Sequence, residues 1–345
     1  MIEIYKEEKT LGNCYRNEQL DELTKKIEEM RTVANKRREE YFTPNLASTD
    51  EYIASIEKYR QDFIKMLGFP LTEYSDELDT PEGQIEFVAE DELSKIYRVH
   101  IKALDGITTY GILFLPHTPP PYSLVIAQHG GDGTPEICSG FFNSANYNDM
   151  TRRVLKRGNA VFAPQLLLWN EEFGPKFDRI KIDSELKQLG GSITAMEIFK
   201  IIRSIDFLIK NISIDTKRIG MIGLSYGGFY TLFTTAIDTR IKVALSSCFF
   251  NDRFKYDWLD WVWFNSGNQF LDVEVCKLIC PRPIYIEIGK NDELFDYKYA
   301  IDNFTNVIET YKALNVEENV ELNIFEGVHE LNKKNEGIDF LCRII

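Results

Sequence analysis

The chain has 345 residues, of which 44% are hydrophobic and 27% are charged, as in an average globular protein. Its formal net charge of −14 makes nucleic acid and anionic membrane surfaces poor partners. No apolar run approaches the roughly 20 residues that cross a bilayer, and the first residues do not resemble a signal peptide, so a cytoplasmic protein without a membrane contact is expected. The six cysteines are scattered, which predicts free thiols, and neither a metal nor another cofactor is expected.

Two amphipathic helices are predicted near the amino terminus. Apolar residues recur at steps of three and four from Leu20 to Val33 and again from Ile53 to Met66, and Gly68 supplies a stop. Neither helix is apolar all round, so each needs a surface to dock on. Residues 1–80 are therefore predicted to form a helical extension packed on the main domain, as a brace, as an edge of the site or as the interface of a homo-oligomer.

From about residue 85 the chain changes to short β-rich segments that later alternate with helices. Strands are predicted at 97–101, 110–115, 124–127, 160–163, 218–222, 243–246, 284–288 and 322–325. The first of these open as antiparallel strands, whereas apolar strands alternating with helices indicate a mostly parallel sheet covered on both faces. Residues 81–345 are thus predicted to be one α/β domain, with its site at the carboxyl ends of the strands.

A glycine-flanked serine follows one of these strands, in the sequence Gly223-Leu224-Ser225-Tyr226-Gly227. A strand, a serine in this setting and a helix are together typical of a nucleophile elbow. The sharp turn strains the serine backbone, and side chains two positions away on either side would collide, so glycine is needed at both positions. Ser225 is the predicted nucleophile.

A serine nucleophile needs an imidazole to take its proton and a carboxylate to orient that imidazole. After an elbow of this type the acid and then the histidine follow along the chain. His329 is the only one of the four histidines that follows the serine, and it comes just after a predicted strand, so it is the predicted base. The turn after strand 284–288 carries Asp292, the predicted acid, with Glu293 and then Asp296 as alternatives. The other interpretation of Asp292 is a cap on the helix that follows.

Two backbone amides are expected to stabilise the oxyanion, each by about 3 kcal/mol. The amide of Tyr226, directly after the nucleophile, is predicted to be one of them. The other is expected from the glycine-rich loop after strand 124–127, where Gly131 is the predicted donor and Gly130 the alternative. A turn without any donor role is the competing interpretation of this loop. His129, at its start, is predicted to be a structural histidine.

Two further segments are candidates for the walls of the site. Eight aromatic residues lie between 249 and 264, among them Trp258, Trp261 and Trp263, and they suit either an acyl or sugar pocket or plain core packing. The irregular span 166–187 follows a strand and is predicted to form a lid or a pocket wall.

Together these motifs resemble the α/β-hydrolase superfamily over roughly residues 85–345. The resemblance is to the branch that contains dienelactone hydrolases, acetyl xylan esterases and prolyl oligopeptidase-like enzymes, and it rests on His129-Gly130-Gly131, Gly191-Ser192, the segment 214–228 and the two downstream triad residues. The segments 238–243 and 246–253 look most similar to the acetyl xylan esterase-like group, whose members also carry a helical amino-terminal extension. The resemblance implies an α/β-hydrolase fold and deacetylation of sugars.

The sequence therefore predicts a serine hydrolase that cleaves a small carboxylic ester, such as an acetylated sugar, through an acyl-enzyme. Ser225 attacks, His329 shuttles the proton and Asp292 orients His329. A peptidase of the prolyl oligopeptidase type is an alternative, less favoured because no long propeller domain precedes the catalytic part of this sequence. A non-catalytic binding protein on the same fold is a second alternative, less favoured because all three triad residues are present.

Overall fold

A central sheet organises the computed structural model, which describes residues 2–75, 78–172, 174, 176–256 and 258–345. Within these residues the strands run in the order β1-β2-β3-β5-β4-β6-β7-β8-β9 across the sheet. The strands are β1 (Gly83–Glu90), β2 (Ser94–Leu104), β3 (Ile107–Pro116), β4 (Tyr122–Gln128), β5 (Ala160–Pro164), β6 (Ile214–Leu224), β7 (Val243–Ser247), β8 (Ile284–Gly289) and β9 (Val320–Phe325).

The helices of the described residues precede the sheet and connect its strands. They are α1 (Asn13–Tyr41), α2 (Thr49–Leu67), α3 (Pro135–Cys138), α4 (Met150–Leu155), α5 (Arg179–Gln188), α6 (Ile193–Asn211), α7 (Tyr226–Ile237), α8 (Asp272–Ile279), α9 (Tyr297–Ala313) and α10 (Glu336–Ile344). Among the residues described, no helix combines the length and the apolar character that a membrane crossing requires.

The strand directions agree with the prediction. Strands β1, β2, β3 and β5 pair antiparallel in that order, and β4 to β9 pair only in parallel with one another. All eight predicted strands are present, each with slightly wider bounds. Strand β1 was not predicted, because most of its side chains are exposed and its sequence lacks the apolar alternation that marks a half-buried strand.

Apolar clusters cover the sheet on both faces. One face packs against α2, α6, α7, α8 and α9, and the other packs against α3, α4 and α10. Helix α6 shows how the sequence positions such an element, since the Ser192 hydroxyl caps its start by accepting from the Ala195 amide and most of its residues are buried. Apart from the exposed strand β1, the sheet is therefore buried between two helical layers, with its strand ends left for loops.

The second helix of the extension packs as the sequence predicts. The Ser48 hydroxyl accepts from the Glu51 amide at the start of α2, and the helix ends at Gly68 with a φ of 89°. Ile56, Tyr59 and Phe63 of its predicted apolar stripe are buried in the same cluster as the sheet, whereas Ile53 is 46% exposed and Tyr52 beside it is buried instead. Helix α2 is thus continuous with the core of the α/β domain, while the division of the chain at residue 80 stays a prediction.

The first helix differs from the prediction. Ala34 is its one buried residue, and its predicted stripe is exposed at Leu20, Leu23, Ile27, Met30 and Val33. The helix attaches by its carboxyl-terminal part instead, where Arg38 forms an ion pair with Glu274 and donates to the Gly267 carbonyl oxygen. The expectation that the stripe of α1 docks on the main domain is therefore wrong, because contacts near the end of the helix hold it, among them the Tyr41 ring edge-on to Phe270 at 5.6 Å.

Candidate active site

Ser225 lies at the sharp turn between β6 and α7. Its φ of 60° and ψ of −123° place it in a backbone region that non-glycine residues rarely adopt. A Cβ atom on Gly223 would clash with the backbone of Gly227, and a Cβ atom on Gly227 would clash with the carbonyl oxygen of Gln128, both closer than the 3.0 Å that real Cβ atoms respect. Close backbone packing therefore requires both glycines, as the elbow motif predicts.

His329 and Asp292 meet above the neighbouring strand ends, in the loops after β9 and β8. The Nδ1 atom of His329 lies 2.9 Å from Oδ2 of Asp292, with the histidine side chain 11% exposed and the carboxylate 0% exposed. A carboxylate only accepts hydrogen bonds, so Nδ1 carries the proton and Nε2 is left as the basic nitrogen. This is the tautomer that a proton acceptor for serine requires.

The Asp292 carboxylate is held in its ionised form. Burial raises its pKa, but the hydrogen bond and charge of His329 and the amides of Leu294 and Phe295 outweigh burial, so the pKa lies below its usual value. The two amides donate to Oδ1 at 2.8 and 3.0 Å. Asp292 therefore contacts the histidine and caps the turn after β8, but it does not cap the helix that follows, because Asp296 is the N-cap of α9.

The other two candidate acids lie elsewhere. Glu293 is exposed, and Asp296 caps α9 by accepting from the Lys298 amide at 2.9 Å. Of the three carboxylates considered from the sequence, Asp292 is the one that contacts His329.

Cys248 connects the nucleophile with this pair. The Ser225 amide donates to the carbonyl oxygen of Ser247 at 2.9 Å, and Cys248 follows directly. Its Sγ atom, a ring nitrogen of His329 and a carboxylate oxygen of Asp292 lie within 4.8 Å of one another. Ser225, Asp292 and His329 thus follow β6, β8 and β9, with Cys248 after the intervening β7, so the three predicted triad residues lie along one edge of the sheet.

The same three ligand atoms form the group that could hold a metal ion within the described part of the chain. Two of them, on Asp292 and His329, already share a hydrogen bond. Burial raises the pKa of the Cys248 thiol well above its ordinary value, which disfavours the thiolate that a metal ligand must be. The chemistry that this arrangement suits is proton transfer.

The loop that carries the predicted oxyanion donor Gly131 lies against Ser225, since a Cβ atom on Gly130 would be 3.0 Å from the Ser225 Cβ atom. Tyr226 is the first residue of α7, so its amide is one of the helix amides without an intrahelical acceptor. The Gly130 amide is occupied, because it donates to the Tyr147 hydroxyl at 2.8 Å. For the Gly131 amide the described residues provide no acceptor. Of the two glycines considered, the geometry favours Gly131.

His129 fills a structural position beside these donors. Its side chain is buried, and its Nε2 atom accepts from the Leu166 amide at 2.9 Å, which ties the loop after β4 to the loop after β5. Burial lowers the pKa of His129 to about 4, so the ring is neutral at physiological pH.

Aromatic rings surround Tyr226, but the tryptophans divide between core and site. Trp261 and Trp263 are buried, whereas the half-buried Trp258 stacks on the Tyr226 ring with 5.9 Å between centroids. Trp169 is 42% exposed, meets the Tyr226 ring edge-on at 5.2 Å, and lies where a Cβ atom on Gly131 would come within 2.5 Å of its indole. The irregular span after β5 thus supplies a wall of the site, although its sequence gave no sign that Trp169 was the residue involved.

A buried glutamate supports the loop that carries His329. Glu287 in β8 accepts through Oε1 from the Asn332 amide at 2.8 Å and from the Ser247 hydroxyl at 2.9 Å. Burial raises the pKa of Glu287 to about 7. Sequence analysis missed this residue, because one acidic residue within an apolar strand has no distinguishing pattern.

The family assignment rests on the catalytic part of the chain. The model of the "Dienelactone hydrolase family" matches residues 135–337, which is more than half of the sequence. The chain belongs to the dienelactone hydrolase family. The matched range contains Ser225, Asp292 and His329, and it leaves out the amino-terminal helices.

One curated relative and two solved structures are also similar to this chain. A Bacillus subtilis (strain 168) protein named "Putative hydrolase YtaP" is 29% identical over 193 residues, which are 51% of this chain and 62% of that protein, so less than two thirds of the relative is matched. A Bacteroides fragilis NCTC 9343 structure described as a "putative acetyl xylan esterase" has a TM-score of 0.65 at 14% identity and covers 90% of this chain and 88% of its own. Glucuronoyl esterase from Solibacter usitatus has a TM-score of 0.63 at 12% identity and covers 88% and 97%. These likenesses confirm the predicted α/β-hydrolase fold.

Proposed function

We propose that this dienelactone hydrolase family member is a serine hydrolase that cleaves carboxylic esters through an acyl-enzyme. The observation that carries the proposal is the hydrogen bond between His329 and Asp292, next to a serine in a strained elbow. That combination provides an activated nucleophile together with a base in the required tautomer. We also propose that its partner is a small-molecule ester and that the protein is cytoplasmic.

The reaction follows from the positions of the groups. Ser225 Oγ attacks the ester carbonyl while His329 Nε2 takes its proton, and the Asp292 carboxylate stabilises the imidazolium that forms. The amides of Tyr226 and Gly131 hold the oxyanion. Collapse expels the alcohol, which receives the proton from His329, and water repeats the sequence to release the acid.

The preferred substrate is a small ester such as an acetylated sugar. Two solved structures of similar fold are named for esterases of carbohydrate substrates. In this chain the indole of Trp169 is 42% exposed and meets the Tyr226 ring edge-on, and exposed aromatic faces are suited to stack on sugar rings.

The direct test is labelling by a fluorophosphonate together with turnover of nitrophenyl acetate. Wild type should be labelled and active, and Ser225→Ala should lose the label and at least about 10³-fold in kcat. Ser266→Ala, a change of a serine outside the site, is the matched control and should behave as wild type. Persistent turnover by Ser225→Ala would contradict the proposed nucleophile.

A substrate panel separates the alternatives. Acetylated sugars and nitrophenyl esters of increasing acyl length should show a preference for acetyl, and a preference for long acyl chains would contradict a sugar deacetylase. A proline-linked chromogenic peptide should not be cleaved. Cleavage of that peptide alone would favour the prolyl oligopeptidase type, and absence of any labelling of wild type would favour the non-catalytic protein.

A further inference from the structure

A buried ion pair lies behind the residue that follows Ser225. The Nε atom of Arg179 is 2.8 Å from Oδ2 of Asp260, and the two side chains are 5% and 0% exposed. Removing both charges from water is expensive, so such a pair persists only where further hydrogen bonds satisfy it. The partners of this pair therefore show which parts of the molecule it connects.

The carboxylate of Asp260 is directed at Tyr226. Both of its oxygens accept from the Tyr226 hydroxyl, each at 3.0 Å. Tyr226 is 4% exposed, and burial raises the pKa of its hydroxyl far above the usual value, so this group stays a donor at every physiological pH. The Arg179 guanidinium carbon also lies 5.4 Å from the centre of the Tyr226 ring.

The remaining nitrogens of Arg179 fix its position. One donates to the Leu167 carbonyl oxygen at 2.6 Å, in the loop after β5, and the other donates to the Tyr230 hydroxyl at 2.7 Å. Each terminal nitrogen and Nε thus has a hydrogen-bond partner, so Asp260 is held in one orientation. Four separate segments, namely the loop after β5, α5, α7 and the turn 259–261, meet at this pair.

The position of Tyr226 gives this network a consequence for the reaction. Its side chain is held at the hydroxyl by Asp260 and at the ring by Trp258 and Trp261, whose centroids lie 5.9 and 4.6 Å away. Its backbone amide lies directly after the strained Ser225 and is the proposed oxyanion donor. Relaxation of the strained elbow would rotate that amide, and a fixed side chain opposes the rotation.

We propose that Asp260, oriented by Arg179, is a positioning residue that fixes the Tyr226 amide toward the oxyanion. This inference rests on the proposed function, since it concerns the geometry of the same hydrolytic site. An oxyanion donor acts on the transition state and not on the bound substrate, so its misplacement lowers kcat and leaves KM nearly unchanged.

Two tyrosines of the network allow a matched comparison. Tyr226→Phe removes the hydroxyl that Asp260 binds, and Tyr230→Phe removes a hydroxyl that Arg179 binds, one turn further along the same buried helix. Both variants lose one buried hydroxyl and keep the ion pair. We expect Tyr226→Phe to lower kcat on nitrophenyl acetate by about tenfold at constant KM. Tyr230→Phe removes one of several partners of Arg179 and leaves the contact between Asp260 and Tyr226, so we expect it to lower kcat by less than about threefold. Thermal unfolding of both variants reports the stability that each one loses.

Three results would overturn the inference. These are a Tyr226→Phe enzyme with wild-type kcat, equal losses of kcat in the two variants, and a loss that appears in KM alone. If Tyr226→Phe does not fold, the double variant Arg179→Met with Asp260→Leu replaces the ion pair by apolar groups of similar volume, which proteins often tolerate. A folded double variant with lowered kcat supports the inference, and one with wild-type kcat overturns it.

Failure of the positioning role can be distinguished from failure of the proposed function. Absence of fluorophosphonate labelling and of turnover in wild type means that the hydrolase assignment fails. Normal wild-type turnover with indistinguishable tyrosine variants means that the positioning role alone fails.

Discussion

The two halves of the candidate site are held in place by different forces. On the nucleophile side, Ser225 is fixed by backbone atoms packed so closely that only glycine fits at positions 223 and 227. On the base side, His329 and Asp292 lie in loops that hydrogen bonds and buried charge hold in place. Steric packing does not depend on pH or charge, whereas the stability that hydrogen-bonded carboxylates provide depends on both. The comparison therefore predicts that the two halves fail in different ways.

The largest effect is expected from Asp292→Asn on the base side. The amide can donate to Nδ1, so it favours the wrong tautomer of His329 without changing the shape of the loop, and kcat should fall by about 10³- to 10⁴-fold. The measurement is kcat on nitrophenyl acetate with a check of folding by circular dichroism. Asp296→Asn, the exposed helix cap four residues later, is the matched control and should keep kcat within about twofold. Equal activity of the two variants would refute the role of Asp292.

The next effect is expected from Gly227→Ala on the nucleophile side. The new Cβ atom would meet the backbone oxygen of Gln128, which cannot move away as a flexible side chain can, so the free energy of unfolding should fall by more than about 3 kcal/mol. This loss should be the same at pH 5 and pH 8, because it is steric. Denaturant unfolding measures it. Gly12→Ala, next to the movable Arg16 side chain, is the control and should change stability by less than about 1 kcal/mol.

The smallest effect is expected from Glu287→Gln on the base side, and it depends on pH. Burial raises the folded-state pKa of Glu287 from 4.5 to about 7, with Arg153 and Glu336 as the nearby charges. A carboxyl with a raised folded-state pKa stabilises the protein fully below its unfolded pKa and loses that contribution as pH rises through the folded pKa. Wild type should therefore lose up to about 3 kcal/mol of stability from this group between pH 4.5 and pH 8.

Glutamine keeps the acceptor oxygen for Asn332 and Ser247 and cannot ionise, so the variant should lack this pH-dependent loss. Unfolding free energies of wild type and variant at pH 5 and pH 8 give the difference directly. Glu321→Gln, an exposed glutamate in β9, is the control and should keep the wild-type pH dependence. A Glu287→Gln enzyme with an unchanged pH dependence would show that Glu287 is not the titrating group.

Much of the fold was predictable from the sequence, because the parallel strands are apolar and the sheet buries both of their faces. The nucleophile motif was predictable for a related reason, since a strained turn needs glycine at fixed spacing and leaves a readable pattern. The choice of His329 followed from the scarcity of histidine. Strand β1 was not predicted, because its side chains are mostly exposed and an exposed side chain need not be apolar.

Other parts of the site left no pattern in the sequence. Asp292, Glu293 and Asp296 are all acidic residues close to the same turn, so the sequence separates them poorly. The hydrogen bond to His329 distinguishes Asp292 from the other two. The sequence does not show which tryptophan borders the site. Trp169 does so, whereas Trp261 lies in the core. Arg179 and Asp260 are 81 positions apart in the chain, and nothing local marks them as a pair.

Local sequence was sufficient to predict every strand of the described sheet except β1, the elbow at Ser225 and the order of the candidate triad, because each depends on local spacing or on residue types that are rare in this chain. The tertiary structure alone decided which stripe is buried, since α1 and α2 have similar apolar spacing and only α2 packs into the core. It also decided which charged groups support the site. The burial of a side chain and its hydrogen-bond partners depend on which distant segments of the chain meet. Local residue spacing does not indicate these contacts.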